Sequence, residues 1–315
     1  MLNTLSAAGR CAVLVAAFVG WLAWAPAVHA EEVPAAQCGD VIIVGVRGSG
    51  EESYRHNMGP TVYTAAAAFA RHVQTAGESH SYVGVQYEAA GVFETLIPNA
   101  GTLARMALHA LNPGKLWGVY RKRHVDKYLA SIEDGIGKTM QTVRSTAGRC
   151  EFSDLILTGY SQGAMAVHQA QLRMHDAGDE ALDAVVGTLL IADGDRIANS
   201  AARSFGAASG EGIRPYLSGL LDLRLYARRD VYDPELTANI CIAGDLVCGF
   251  ESAMSLRNLR NVKKVIADFK RRGGTHLIYD RGKAAHLNDA VDWLAAELGF
   301  VGDDTGDFRH AHQRH

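Results

Sequence analysis

The sequence predicts an α/β fold in which a central, mainly parallel sheet carries helices on both faces. Residues 41–46 form a continuous apolar, largely β-branched run, as expected of a strand buried on both faces. Apolar residues then recur at helical spacing between residues 62 and 73. The alternation of strand and helix patterns continues along the chain. Such repeated alternation is typical of a doubly wound sheet.

The later elements follow the same scheme, except in two stretches. These stretches, 93–124 and 196–233, fit poorly and are interpreted as insertions over a site, since long connections are usually functional or disordered. The first mixes apolar and basic residues, which suits a lipid-contacting lid or a structural insertion. Further strands are predicted at 83–87, 155–157 and 185–191, and further helices at 129–143, 164–174 and 291–298.

The first thirty residues have the pattern of a secretory signal peptide. Arg10 precedes an apolar run over residues 11–25, and small residues at 28–30 provide a cleavage site, placed after Ala30. A retained membrane anchor is the alternative, but the run is shorter than the roughly 20 residues that span a bilayer. The protein is therefore predicted to be secreted, with one domain over residues 31–300 and a flexible His-rich tail over 301–315.

Composition and charge exclude some function classes. The 315 residues are 48% hydrophobic and 21% charged, which is ordinary for a globular protein. The formal net charge is −3, from 31 basic and 34 acidic residues. Phosphate binding needs clustered Lys and Arg, so no nucleic-acid partner is predicted.

The cysteines predict two disulfides. Cys11 would leave with the signal peptide, and four cysteines would remain in a chain bound for an oxidising compartment. Four cysteines allow three pairings, and the residues alone do not choose between them. No Cys-x-x-Cys pair favours the alternative of a metal site. The four are Cys38, Cys150, Cys241 and Cys248.

Residues 159–163, with the sequence Gly-Tyr-Ser-Gln-Gly, lie between a predicted strand and a predicted helix. A nucleophile elbow requires this context, because a sharp turn holds the serine in a strained conformation and needs neighbours without bulky side chains. The following helix directs its N-terminal amides at the point where negative charge develops on a carbonyl oxygen. We therefore predict Ser161 as a nucleophile in a three-layer α/β hydrolase.

A serine nucleophile needs a histidine base and an acid that orients it, and in α/β hydrolases both follow the serine in that order. Asp245 is the predicted acid, because a disulfide between Cys241 and Cys248 would hold it rigidly; a solvated turn residue is the alternative. Two candidate bases follow. His276 comes after two glycines, in a loop that can bring it over the sheet. His286 opens a predicted helix and is more simply a surface or packing residue.

Beyond the serine motif, the sequence resembles the cutinase family. That family uses the form Gly-Tyr-Ser-Gln-Gly, and residues 47–49 resemble its Arg-Gly-Ser turn. Residues 276–279 resemble its His-Leu-x-Tyr motif. The resemblance spans residues 38–298 and is closest to the secreted actinobacterial branch, to which residues 191–196 are also similar. This chain is longer than compact cutinases, partly between residues 248 and 276.

The resemblance implies a disulfide pairing and a set of site residues. The implied pairs are Cys38–Cys150 and Cys241–Cys248. An oxyanion hole is implied at the Arg-Gly-Ser turn and at the residue after the nucleophile. The implied site consists of Ser161, Asp245 and His276, with Ser49 and Gln162 at the oxyanion hole.

The implied activity is hydrolysis of lipid or fatty-acyl esters through an acyl-enzyme intermediate. No metal or organic cofactor is expected. The expected partner is an acyl-ester substrate at a membrane or cell-envelope surface, and the protein is expected to be a monomer. The alternatives are an acyltransferase or cell-envelope lipid esterase with the same triad, and a non-catalytic lipid-binding surface protein.

Overall fold

The computed structural model describes residues 38–91, 112, 114–115, 118, 125–215, 229–250, 276–280 and 285–301. The predicted signal peptide, the tail beyond residue 301 and most of the predicted insertion at 93–124 lie outside these residues. The predicted stretch 196–233 is described except for residues 216–228. Among the described helices, none is long and apolar enough to cross a membrane.

One parallel sheet forms the centre of the described part. Its strands are β1 (Val41–Val46), β2 (His80–Gly84), β3 (Asp154–Tyr160), β4 (Val185–Ile191), β5 (Arg203–Phe205) and β6 (Thr237–Ile240). Their order across the sheet is β2-β1-β3-β4-β6-β5, with every neighbouring pair parallel. The chain runs from β1 outward to β2 and then returns to β3 on the other side of β1. The carboxyl ends of β1 and β3 therefore flank a crevice, the usual ligand position in such sheets.

Helices cover both faces of this sheet, as predicted. They are α1 (Pro60–Thr75), α2 (Asp126–Ala147), α3 (Gln162–Asp176) and α4 (Ala285–Glu297). Alternate residues of each central strand point to opposite faces, so Val41 and Ile43 pack with α1 and α4, whereas Ile42 and Val44 pack with α2 and α3. The described part of the chain thus has three layers and two apolar cores, one on each side of the sheet.

The structure corrects the sequence interpretation at the second strand. The pattern predicted a strand at residues 83–87, but β2 ends at Gly84. Beyond it, the amide of Val85 still donates to the carbonyl oxygen of Gly45 at 2.8 Å, and two side-chain contacts follow: Arg47 donates to the carbonyl oxygen of Tyr87, and the Tyr87 hydroxyl donates to the carbonyl oxygen of Arg47 at 2.6 Å. This exchange ties the chain after β2 to the chain after β1.

Two short strands were not predicted. Arg203–Phe205 forms the sheet edge and lies inside the stretch 196–233, so part of that stretch belongs to the sheet. Thr237–Ile240 is fully buried between β4 and β5. Strands of three and four residues are too short to produce a recognisable alternation of apolar and polar residues.

Two disulfides join the described cysteines in the pairs that the family resemblance implies. Cys38 binds Cys150, with 5.6 Å between their Cα atoms, and links the chain before β1 to the chain before β3. Cys241 binds Cys248 and closes a small loop directly after β6. The second disulfide therefore lies at the carboxyl edge of the sheet.

Two glycines of α2 provide a matched test of the packing between this helix and the chain after β2. A Cβ atom at Gly135 would lie 3.0 Å from the ring of Tyr87, which is held by its hydrogen bond to Arg47, whereas a Cβ atom at the exposed Gly137 would meet nothing within 4 Å. We expect Gly137→Ala to raise the free energy of unfolding by about 0.5–1 kcal/mol. Gly135→Ala should lower it by about 1 kcal/mol or more through overpacking. Urea unfolding measures both, and equal effects would contradict this account.

Candidate active site

Ser161 lies at the turn between β3 and α3, where the sequence places the nucleophile. Its backbone has φ 55° and ψ −116°, a conformation that residues with a Cβ rarely adopt. The turn is held in place because the Ser161 amide donates to the carbonyl oxygen of Ile191 at 2.8 Å. The strained backbone presents the side chain at the carboxyl edge of the sheet.

The two glycines of the motif permit this turn by letting backbones approach closely. A Cβ atom at Gly163 would lie 2.1 Å from the carbonyl oxygen of Val46, and one at Gly159 would lie 2.5 Å from the carbonyl oxygen of Gly163. Both distances are well inside van der Waals contact, so no other residue fits at either position without a backbone shift. The start of α3 is therefore pressed against the end of β1.

A continuous line of hydrogen bonds joins Ser161 to His276 and Asp245. The Nε2 atom of His276 lies 3.0 Å from the Oγ atom of Ser161, and its Nδ1 atom lies 2.9 Å from Oδ2 of Asp245. The ring of Tyr160 stacks on the imidazole with centroids 5.1 Å apart, and its hydroxyl donates to the carbonyl oxygen of His276 at 2.5 Å. Three residues far apart in the chain are thus brought into one array.

The other candidate base, His286, lies elsewhere. It stands in the second position of α4 with 43% of its side chain exposed, and its nearest ionic partner is Asp289 at 3.8 Å. The structure therefore brings only one of the two candidate histidines to Ser161.

Asp245 is fully buried, and both oxygens of its carboxylate accept hydrogen bonds. Its Oδ1 atom accepts the amide of Val247 at 2.8 Å, and its Oδ2 atom accepts the hydroxyl of Tyr279 at 2.8 Å as well as the imidazole of His276. Burial by itself would raise the pKa of Asp245, but the electrostatic interaction with His276 and these hydrogen bonds outweigh burial and leave the pKa below its ordinary value. The carboxylate therefore stays ionised beside the imidazole.

The predicted oxyanion-hole residues follow β1 and β3 and are linked by one hydrogen-bond network. Gln162 is the first residue of α3, so its amide is at the positive end of the helix dipole. Ser49 lies in the turn after β1, and its hydroxyl donates to the carbonyl oxygen of Ala90 at 2.6 Å. The side chain of Gln162 donates to Ser131 at 3.1 Å, and Ser131 in turn accepts the amide of Ala90. One network therefore holds both sides of the crevice.

Glu51 supports the same turn and was not identified from the sequence. One of its oxygens accepts the amide of Gly48 at 2.7 Å, and the other accepts the amide of Thr61 at the start of α1 at 3.3 Å. Burial raises the pKa of Glu51 above its ordinary value, although both hydrogen bonds oppose this. No local sequence pattern indicates that the Glu51 side chain would connect the Arg-Gly-Ser turn to the start of α1.

A second buried polar cluster lies behind α3. His168 pairs with Asp193 at 2.8 Å, and Asp195 forms an ion pair with Arg214. Arg196 donates to three backbone carbonyl oxygens of neighbouring loops. Burial alone would lower the pKa of His168, but the charge and hydrogen bond of Asp193 raise it. The acidic residues of stretch 191–196 therefore anchor the nucleophile helix to the loops after β4.

Comparisons with known proteins agree with this fold. The family model described as cutinase matches residues 37–262, more than half of the chain. Among solved structures, an acetyl xylan esterase has 15% identity and a TM-score of 0.50 over 83% of this chain and all of that one. At this identity the likeness shows the fold alone. No curated protein matches the sequence.

Two other similar structures have TM-scores below 0.5. A cutinase-like protein from Cryptococcus sp. has 16% identity and a TM-score of 0.46, with 85% of this chain and 96% of that chain covered. Lysin B from mycobacteriophage D29 has 15% identity and a TM-score of 0.41, with 87% and 93% covered.

The buried carboxylate should make stability depend on pH in acid. A group whose pKa is lowered by folding contributes stability that is complete above its unfolded pKa, about 3.9 for Asp. That contribution is lost as the pH falls through the lower, folded value. We expect the free energy of unfolding to fall more steeply below about pH 4 in the wild type than in Asp245→Asn. Urea unfolding at several pH values measures this, and the exposed Asp183→Asn is the control that should keep the wild-type slope.

Proposed function

The chain belongs to the cutinase family, whose members are serine carboxylic ester hydrolases, and from this premise we propose that it hydrolyses lipid or fatty-acyl esters with Ser161 as nucleophile. One observation carries the proposal. The serine hydroxyl, the imidazole of His276 and the buried carboxylate of Asp245 form an unbroken line of hydrogen bonds of 3.0 and 2.9 Å. Such a line is the arrangement that activates a serine at neutral pH.

The first half of the reaction forms an acyl-enzyme. His276 Nε2 accepts the proton of the Ser161 hydroxyl as Oγ attacks the ester carbonyl carbon. The negative charge of Asp245 stabilises the imidazolium ion that results. The imidazolium then gives its proton to the oxygen of the leaving alcohol, and the carbon–oxygen bond of the ester breaks. The acyl group remains attached to the serine.

The second half of the reaction releases the acid. His276 takes a proton from a water molecule, whose oxygen attacks the acyl carbon, and the proton returns to Ser161 when the acyl–enzyme bond breaks. In both halves negative charge develops on the carbonyl oxygen. The amide of Gln162, at the start of α3, and the hydroxyl of Ser49 are the proposed donors to that charge. The Ser49 hydroxyl would exchange its bond to Ala90 for one to the substrate oxygen.

The surface beside the site supports an apolar acyl group as substrate. Leu277, which follows the proposed base, exposes 61% of its surface and is available to contact an acyl chain there. We also propose that the protein is secreted. The support is the signal-peptide pattern before residue 31 together with two disulfides, which persist in oxidising compartments.

Substitution of the nucleophile tests the catalytic assignment. Ser161→Ala should abolish hydrolysis of p-nitrophenyl esters and labelling by a fluorophosphonate probe, because both need the serine oxygen. Triad deletions in serine hydrolases cost several orders of magnitude in kcat. If a correctly folded wild type fails to react with the probe, the protein is instead a non-catalytic binder on a hydrolase scaffold.

The two histidines give a matched pair for the base. His276→Ala should lower kcat by about 10³-fold or more, since the proton of Ser161 then has no acceptor. His286→Ala should leave kcat within about twofold, because this side chain lies on α4 away from the serine. The assay is steady-state hydrolysis of one short-chain ester. An equal loss in both variants would show that the assignment is wrong.

A chain-length series tests the substrate class. We expect kcat/KM to rise from acetyl to medium-chain p-nitrophenyl esters, since each buried methylene contributes about 0.8 kcal/mol of transfer free energy. Leu277→Ser should reduce this rise and leave acetyl-ester turnover nearly unchanged. A preference for acetyl esters would favour a polar ester as substrate.

Addition of glycerol or a sugar to the assay, with analysis of the products, separates hydrolysis from acyl transfer.

A further inference from the structure

Tyr279 connects the two loops that carry the proposed acid and base. Its hydroxyl donates to Oδ2 of Asp245 at 2.8 Å and accepts the amide of Ile242 at 3.0 Å. Ile242 and Asp245 belong to the disulfide loop 241–248, whereas Tyr279 lies three residues after His276. One buried side chain thus fixes the distance between segments that are more than thirty residues apart.

Tyr279 contacts the same carboxylate oxygen that holds the imidazole of His276. Tyr279 and His276 both donate to Oδ2 of Asp245, while the amide of Val247 donates to Oδ1. Donors from three residues thus restrain both oxygens of the carboxylate. Because hydrogen bonds to charged groups are stronger than neutral ones, loss of the phenol hydroxyl should weaken this restraint measurably.

We propose that Tyr279 is a positioning residue that holds Asp245 in the rotamer that orients His276 toward Ser161, an inference that rests on the proposed function of these three residues. It does not touch the substrate in this proposal. It acts through the carboxylate, and its effect is on the geometry of proton transfer.

The chemical state of Tyr279 suits this role. Burial raises its pKa well above the ordinary value, and the nearby negative charge of Asp245 raises it further. The hydroxyl therefore keeps its proton and remains a donor throughout the pH range of esterase assays. The centroid of the Tyr279 ring lies 6.0 Å from that of Tyr160 and 6.4 Å from that of His276. A phenylalanine at this position would retain both ring contacts.

Tyr279→Phe removes the hydroxyl and keeps the ring. We expect kcat for a p-nitrophenyl ester to fall by about 10- to 100-fold with KM within about twofold, since loss of a hydrogen bond to a buried charge has effects of this size. Rates are expressed per active site, counted by fluorophosphonate titration, so that any misfolded fraction does not lower the measured kcat. Tyr82→Phe, at a half-buried tyrosine on β2, is the control and should keep wild-type kcat. An unchanged kcat per site in Tyr279→Phe would overturn the proposal.

A double-mutant cycle separates positioning from general support of the fold. If Tyr279 acts through Asp245, then Tyr279→Phe should cause no further loss of kcat per site in an Asp245→Ala background. Full additivity of the two losses would show that the tyrosine acts independently and would overturn the inference. Failure of the proposed function gives a different result, because the wild type itself would then neither hydrolyse esters nor react with the probe.

Discussion

The strained turn at Ser161 is the constraint on which the rest of the site depends. A residue with a Cβ atom is held at φ 55° between a buried strand and a helix, and the backbone around Gly163 is pressed against the end of β1. This close approach places the start of α3, with its amides, beside the turn after β1. The core on both sides of the sheet provides the packing that maintains such strain, since interiors of this density resist local relaxation.

Once the serine is fixed, the other groups must be brought to it from distant parts of the chain. A parallel sheet does this, because the carboxyl ends of β1, β3 and β6 all lie at one edge. Ser49 follows β1, Ser161 follows β3 and Asp245 follows β6. His276 is then held over the serine by the ring and hydroxyl of Tyr160. The site is thus a product of topology more than of any single element.

The proposed acid shows how a buried charge is kept ionised and oriented at once. Burial alone would raise the pKa of Asp245, and the groups around its carboxylate outweigh this effect. The donors among these groups restrain both oxygens of the carboxylate, so one set of contacts serves both requirements. A small disulfide loop suits this task, since Cys241 and Cys248 hold the backbone that supplies one of those donors.

The sequence alone determined the fold class, the boundaries of β1 and β4, and the position of Ser161, because these depend on local patterns: apolar runs, helical spacing and glycines at a turn. It favoured His276 over His286 only through neighbouring residues and family resemblance. The tertiary structure decided which histidine reaches the serine, and it identified Glu51 and Tyr279 as supporting side chains. Each of these residues acts on a partner at least ten residues away, or on several at once, and no local pattern records such a contact. The serine turn is therefore specified by its own residues, whereas its partners are specified by the way the sheet folds.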